Sequence, residues 1–167
     1  MAAATTVEDF LDRRHLAYEK VSHKRTDSSM NTARAAHIPA ERVAKGVLLN
    51  ADGNYVLAVT RADCHLNLDE LQRQLQARVA LATREEIDSV FDDCARGAVP
   101  ALGAAYGIDS IWDDGLEQEP DLYFELGDHT HLIHLRTQDY LTLLGAERHG
   151  SFSEPMRAAD ASLWRGR

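Results

Sequence analysis

The sequence is poor in the residues that mark specialised chemistry. Its only two cysteines, Cys64 and Cys94, stand far apart and form no C-x-x-C pair. That spacing suggests neither a zinc knuckle nor a disulfide scaffold. No G-x-S-x-G elbow, Walker A loop, G-x-G-x-x-G or H-E-x-x-H is present, so nucleophilic, nucleotide and zincin signatures are all missing. No apolar run approaches the ~20 residues of a membrane span. The start, Met1-Ala2-Ala3-Ala4-Thr5, lacks the basic and apolar regions of a signal peptide. These absences together lead to the expectation of a cytoplasmic protein. There is no internal repeat, low-complexity tract or Pro/Gly/Ser linker.

What is present suits one globular unit. The chain has 167 residues, 44% hydrophobic and 27% charged, enough to bury a substantial core. Net charge is −9, which disfavours sequence-blind binding along a duplex and argues against DNA as a partner. The charge is uneven, however. Lys20, Lys24, Arg25, Arg34, Arg42 and Lys45 fall in the first fifty residues, so a local patch could meet a phosphate while the rest repels one.

Local signals set out the elements. Thr5 or Thr6 caps a helix to about Arg14, and Ala17–His23 reads as a strand. Ser28 caps a helix to about His37, and Pro39 suits a short helical turn. Val43–Asn50 and Tyr55–Thr60 are strands joined at Asp52-Gly53. Leu68–Leu75 is an amphipathic helix, and Val79–Ala82 a short strand. Thr83-Arg84-Glu85-Glu86 is a capping box whose helix ends near Phe91. After a loop over Gly97–Gly107 come strands at Ser110–Trp112, Asp121–Leu126 and His131–Arg136, then a helix capped by Thr137 and ended by Gly145. Residues 146–167 lack periodicity and are expected to form a loose tail. The expectation is a single α+β domain over 1–145, with a mainly antiparallel mixed sheet and surrounding helices.

Three constellations could carry chemistry. The first is Lys45, inside the apolar run Val43-Ala44-Lys45-Gly46-Val47-Leu48-Leu49. A cation taken out of water needs a partner, and the following glycine leaves room for something to approach the backbone. A lysine at a pocket mouth facing an anionic ligand fits; so does an edge-strand lysine whose head reaches solvent. The second is Gly97-Ala98-Val99-Pro100-Ala101-Leu102-Gly103. Two glycines and a proline in one loop can aim N–H groups at a carbonyl, or merely connect elements. The third is Glu125-Leu126-Gly127-Asp128-His129-Thr130-His131. In an extended chain His129 and His131 share a face and His134 points away, but no spacing supplies the further ligands a metal needs. No metal and no cofactor are expected.

In this order the three constellations resemble the YbaK/prolyl-tRNA-synthetase-associated domain family of free-standing aminoacyl-tRNA deacylases. The matching residues are the Lys45 strand with Tyr55-Val56-Leu57-Ala58-Val59, the Gly97–Gly103 loop, and Tyr123-Phe124-Glu125-Leu126-Gly127-Asp128-His129, with Ser22-His23 and the Ser28-started helix upstream. The resemblance covers about residues 5–145. It implies an editing-domain-like fold and hydrolysis of the ester of mischarged aminoacyl-tRNA in trans. It implies Lys45 at the tRNA 3′ end and the loop from Gly97 at the reacting carbonyl, both as catalytic residues. Substrate binding falls to His23, Ser28, Met30, Gly46, Val47, Pro100, Leu102, Gly103, Gly127, Asp128 and His129, with Met30, Val47 and Leu102 as pocket walls. The partners implied are the aminoacyl-tRNA acceptor end and an aminoacyl-tRNA synthetase, with no membrane. Relatives often carry threonine or asparagine after the lysine, where this chain has Gly46, so a substrate contact is lost or the pocket is wider. A non-catalytic module that binds tRNA or a synthetase is the alternative.

Overall fold

The structure, a computed structural model, describes residues 5–145 and 148–156. Ten strands are described: β1 Glu19–Ser22, β2 Val43–Ala51, β3 Asn54–Arg61, β4 Cys64–Leu66, β5 Val79–Leu81, β6 Asp109–Asp113, β7 Asp121–Glu125, β8 His131–Arg136, β9 His149–Gly150 and β10 Ser153–Pro155. The helices are α1 Thr6–Arg13, α2 Ser29–Ala35, α3 Leu68–Leu75, α4 Arg84–Val90 and α5 Thr137–Leu144. The main sheet runs β1-β8-β7-β2-β3-β6-β9, with β5 also on β2. It is mixed and mainly antiparallel. Parallel pairings join β2 to β7, β3 to β6 and β6 to β9.

The β2–β3 hairpin follows from its turn. Asp52 and Gly53 both take positive φ, 49° and 90°, the geometry whose twist matches the flanking strands. The register Ala51↔Asn54 to Ala44↔Arg61 then fixes which side chains share a face. Ala44, Leu48, Leu57 and Val59 meet the buried residues of α1, α4 and α5 in the main core. Val47, Leu49, Val56 and Ala58 meet Leu71 of α3 and Phe152 on the other face. α2 lies on that second face too, where Ala33 packs with Val43 and Ala62.

Caps explain several helix starts. Ser28 Oγ accepts from Asn31 N at 3.2 Å, and both bonds of the Thr83–Glu86 capping box are present. Two expected caps are not. Thr5 makes no side-chain cap bond; Thr6 N instead donates to Asp93 Oδ2 at 3.1 Å. Thr137 spends its hydroxyl on Glu119 O, 2.5 Å away, and Arg136 holds the cap position. Both substitutions come from residues distant in sequence, which local pattern cannot reveal.

The expected loose tail is also corrected where it is described. β9 pairs with β6 and β10 with β4, while Phe152 is 2% exposed. Phe152 N donates to Asp113 Oδ2 at 2.9 Å, and Asn67 N to Phe152 O at 2.8 Å. The remaining tail positions, 146–147 and 157–167, lie outside the described residues.

Candidate active site

A gap in the sheet makes the site. β7 pairs with β2 only at Val43↔Tyr123 and Ala44↔Phe124. On the same edge β5 takes over at Leu49, and Leu48 O accepts from Ala82 N at 3.0 Å. Between these pairings the β2 edge at Lys45, Gly46 and Val47 faces no strand. A cavity of about 60 Å³ opens there, bounded by the start of α2, by Lys45 and Gly46, by Gly97–Val99, and by Glu125, His129 and Leu132.

Lys45 is 3% exposed. Alternation along β2 puts its side chain with Val43 and Val47, on the face of α2 and opposite Thr60. Thr60 is itself covered, its hydroxyl 2.6 Å from Ser153 Oγ in β10. Burial lowers the Lys45 pKa to about 8, while Cys64 and Asp63 oppose that shift. The Cys64 thiol is pushed up to about 11 by burial, so near neutrality Asp63 carries the opposing charge. Asp63 also binds Arg61 through two N–H···O contacts.

Gly46 points to the other face. A Cβ there would lie 3.1 Å from Leu57 Cδ1, 3.2 Å from Ala101 Cα and 3.3 Å from Val99 Cγ1. The missing side chain therefore does not widen the pocket; the glycine–proline loop fills its place. That loop is anchored on three sides. Gly97 N donates to Asp88 Oδ1 at 2.9 Å, Ala95 N to Gly127 O at 2.7 Å, and the Tyr140 hydroxyl to Ala101 O. Gly97 has φ 76°, and a Cβ there would sit 2.7 Å from Arg84 Nη1, so no other residue fits without displacing that arginine.

These bonds decide which amides of the cavity-lining loop keep a proton to give. The N–H of Gly97 is held by Asp88, and that of Ala98 by Ala95 O at 3.0 Å. Val99 N–H has no protein acceptor among the described residues, and Pro100 has no N–H to offer.

The third wall comes from the turn after β7. Glu125 Oε1 accepts from His129 N at 2.6 Å and from Gly127 N at 3.3 Å. Burial raises the Glu125 pKa to about 7, against those two bonds and the positive charge of Arg25. His129 has φ 64° and its Nε2 lies 2.8 Å from Arg96 O. It has left the strand, so it does not share an extended face with His131. His131 binds Asp128 instead, with Nδ1 2.6 Å from Oδ2. His134 stacks on Tyr123, their centroids 4.0 Å apart.

Of the site residues expected from sequence, Ser28, Lys45, Gly46, Gly97 and His129 line this cavity. Val47 lines a smaller one of about 20 Å³ beside it, with Gly46, Gly97 and Val99. The rest stand back. Leu102 is fully buried in the main core. Met30, itself in α2, packs against the cluster of Ala33, Val43 and Ala62. Gly103 sits against Ser110 Oγ and Ile108 O. Gly127 and Asp128 shape the turn through their hydrogen bonds. His23 N donates to Thr130 O, and neither His23 nor Pro100 is among the lining residues. Thr32, Val43, Val99 and Leu132 form walls that sequence reasoning did not assign. Glu125 heads the third constellation but receives no role from sequence, although a carboxylate between Phe124 and Leu126 carries the same signal as a lysine between Ala44 and Gly46.

The family pattern described as the aminoacyl-tRNA editing domain matches residues 23–143, a span that includes every cavity wall. The chain belongs to this family. Among curated proteins, it is 29% identical over 114 residues to proline–tRNA ligase of Geobacillus thermodenitrificans (strain NG80-2), covering 68% of this chain and 20% of the ligase. The editing-domain chain thus spans about a fifth of that relative. Its fold matches the crystal structure of a proposed trans-editing enzyme for prolyl-tRNA synthetase, with TM-score 0.77 and 21% identity over 90% of this chain and 96% of the other. It also matches a hypothetical protein with TM-score 0.79 and 18% identity, covering 89% of this chain and 99% of that one. Among the described residues no helix is long and apolar enough to cross a membrane.

Proposed function

We propose that the protein hydrolyses the ester of mischarged aminoacyl-tRNA in trans. The reading is carried by one observation: in an editing-domain chain, a single cavity in the sheet gap is lined by both Lys45 and the Gly97–Val99 loop. Lys45, protonated below about pH 8, pairs with an oxygen of the terminal nucleotide, a charge-assisted contact. The acyl group enters the cavity, whose 60 Å³ holds about four to six water-sized groups. Water attacks the carbonyl carbon, and Val99 N–H donates to the oxygen that becomes negative. The intermediate collapses, the C–O bond to the ribose breaks, and the ribose oxygen takes the proton that the attacking water gives up. Positioning and electrostatics supply the acceleration, so a protein nucleophile is not required.

The acceptor end meets exposed cations beside the cavity. Lys24 and Arg25 precede α2, and Arg84 lies against Gly97. The acidic remainder of the surface keeps contact to this end. The test is incubation of the purified protein with a panel of mischarged tRNAs. Release of the amino acid from one or more supports the reading. Binding of tRNA with every ester intact overturns it in favour of a non-catalytic module.

A further inference from the structure

Glu125 has no part in the chemistry above, yet it forms a wall of the same cavity as Lys45 and Val99. Its placement is specific. One carboxyl oxygen, Oε1, is pinned by two backbone N–H groups of the turn that follows, from Gly127 and His129. The other, Oε2, makes no hydrogen bond among the described residues. Gly127 O in turn holds Ala95 N, and His129 Nε2 meets Arg96 O, so the carboxyl is fixed relative to the loop that carries Val99. The charged groups around it are Asp128 on its own turn, Arg25 from the segment before α2, and Asp27 and Lys45 on the same cavity. A carboxylate oriented by one oxygen, with the other uncommitted in a small partly dry cavity, is a receptor for a cation.

The substrate class proposed above supplies one. Every aminoacyl ester carries an α-amine one bond from the carbon next to the reacting carbonyl, and the amine is largely protonated near neutrality. We propose that Glu125 is a specificity-determining residue that binds the substrate's α-ammonium through Oε2, so that the site distinguishes aminoacyl esters from otherwise identical acyl esters lacking the amine. This inference rests on the editing reading. Lys45 would hold the nucleotide end and Glu125 the amino end, with the carbonyl between them at Val99 N–H. A hydroxyl in place of the amine would offer Oε2 no positive charge.

The experiment compares two RNA minihelices, one ending in an alanyl ester and one in the isosteric lactyl ester. The wild-type protein is expected to hydrolyse the alanyl ester about tenfold faster or more in kcat/KM, the scale of one charged hydrogen bond. Glu125→Gln keeps an oxygen to accept the Gly127 and His129 N–H groups, and is expected to lose most of that preference. No preference in the wild type, or a preference unchanged in the variant, overturns the proposal. If neither ester is hydrolysed, the mischarged-tRNA panel decides the editing reading, and the wild-type protein alone decides the Glu125 role. Its side-chain carboxyl is then followed by carbon-13 NMR with alaninamide or lactamide added. A lowered titration midpoint with alaninamide alone supports the ammonium site; equal responses, or none, sink it.

Discussion

Gly46 and Ala101 touch backbone to backbone: a Cβ on Gly46 would come within 3.2 Å of Ala101 Cα. The strand that carries Lys45 and the loop that carries Val99 are therefore registered against each other by the lack of a side chain. A residue with a Cβ must push the loop outward by a few tenths of an ångström. Loop and strand both line the cavity, so the shift alters it as well as the packing. Gly46→Ala is expected to destabilise the fold by roughly 1–3 kcal/mol, the range for overpacking a tight site. A denaturant titration would show a lower midpoint at unchanged slope.

Lys45→Ala removes the cavity's buried cation. Deacylation is expected to fall by ~10²-fold or more, the scale of losing one preorganised electrostatic group. The wild-type pH profile follows from the depressed pKa of about 8. The folded amine loses its proton at lower pH than the unfolded one, so the nucleotide contact fades as pH rises through about 8. Over the window from there to the ordinary lysine pKa the folded state binds fewer protons, and stability rises with pH. Both trends should vanish in the alanine variant; a basic limb that survives in its kcat/KM profile would assign the titration to another group.

Glu125 gives the opposite sign. Its folded pKa, about 7, lies above the ordinary value of 4.5. Between those values the folded state holds the extra proton, so this group makes stability decline as pH rises from about 4.5 to about 7. Unfolding free energies of wild type and Glu125→Gln, measured at pH 5 and pH 8, should differ in their pH dependence by this contribution. Parallel curves would mean that the carboxyl is better hydrated than its surroundings suggest.

Phe152→Ala tests the segment after α5. The ring is 2% exposed and packs with Val47, Leu49 and Leu71. Its removal is expected to cost about 3–5 kcal/mol, as for other buried phenylalanines. Calorimetry would show the loss directly. A change below about 1 kcal/mol would mean that the site collapses without leaving a void.

Much of this architecture was legible because its signals are local. The Asp52-Gly53 turn, the Ser28 cap, the Thr83–Glu86 box and the α3 stripe each lie within a few residues, and each appears in the structure. Lys45 stood out because a charge inside an apolar run demands an explanation. What could not be read depends on pairing at a distance. Asp93 caps α1 from eighty-seven positions away. The commitment of Gly97 N–H to Asp88 is invisible in the motif, and so is the end of β7 pairing at Ala44 that opens the gap. β9 and β10 span two and three residues, too short for periodicity; partners elsewhere in the fold make them strands.

Those two strands extend the folding unit past the family pattern, which stops at residue 143. Through Ser153 and Phe152 they roof the face on which Lys45 lies. A gene fusion or expression boundary drawn where the motif match ends would bare the outer edge of β6 and strip Ser153 from Thr60, the residue opposite Lys45. An assay on such a fragment would report a defect that belongs to the cut.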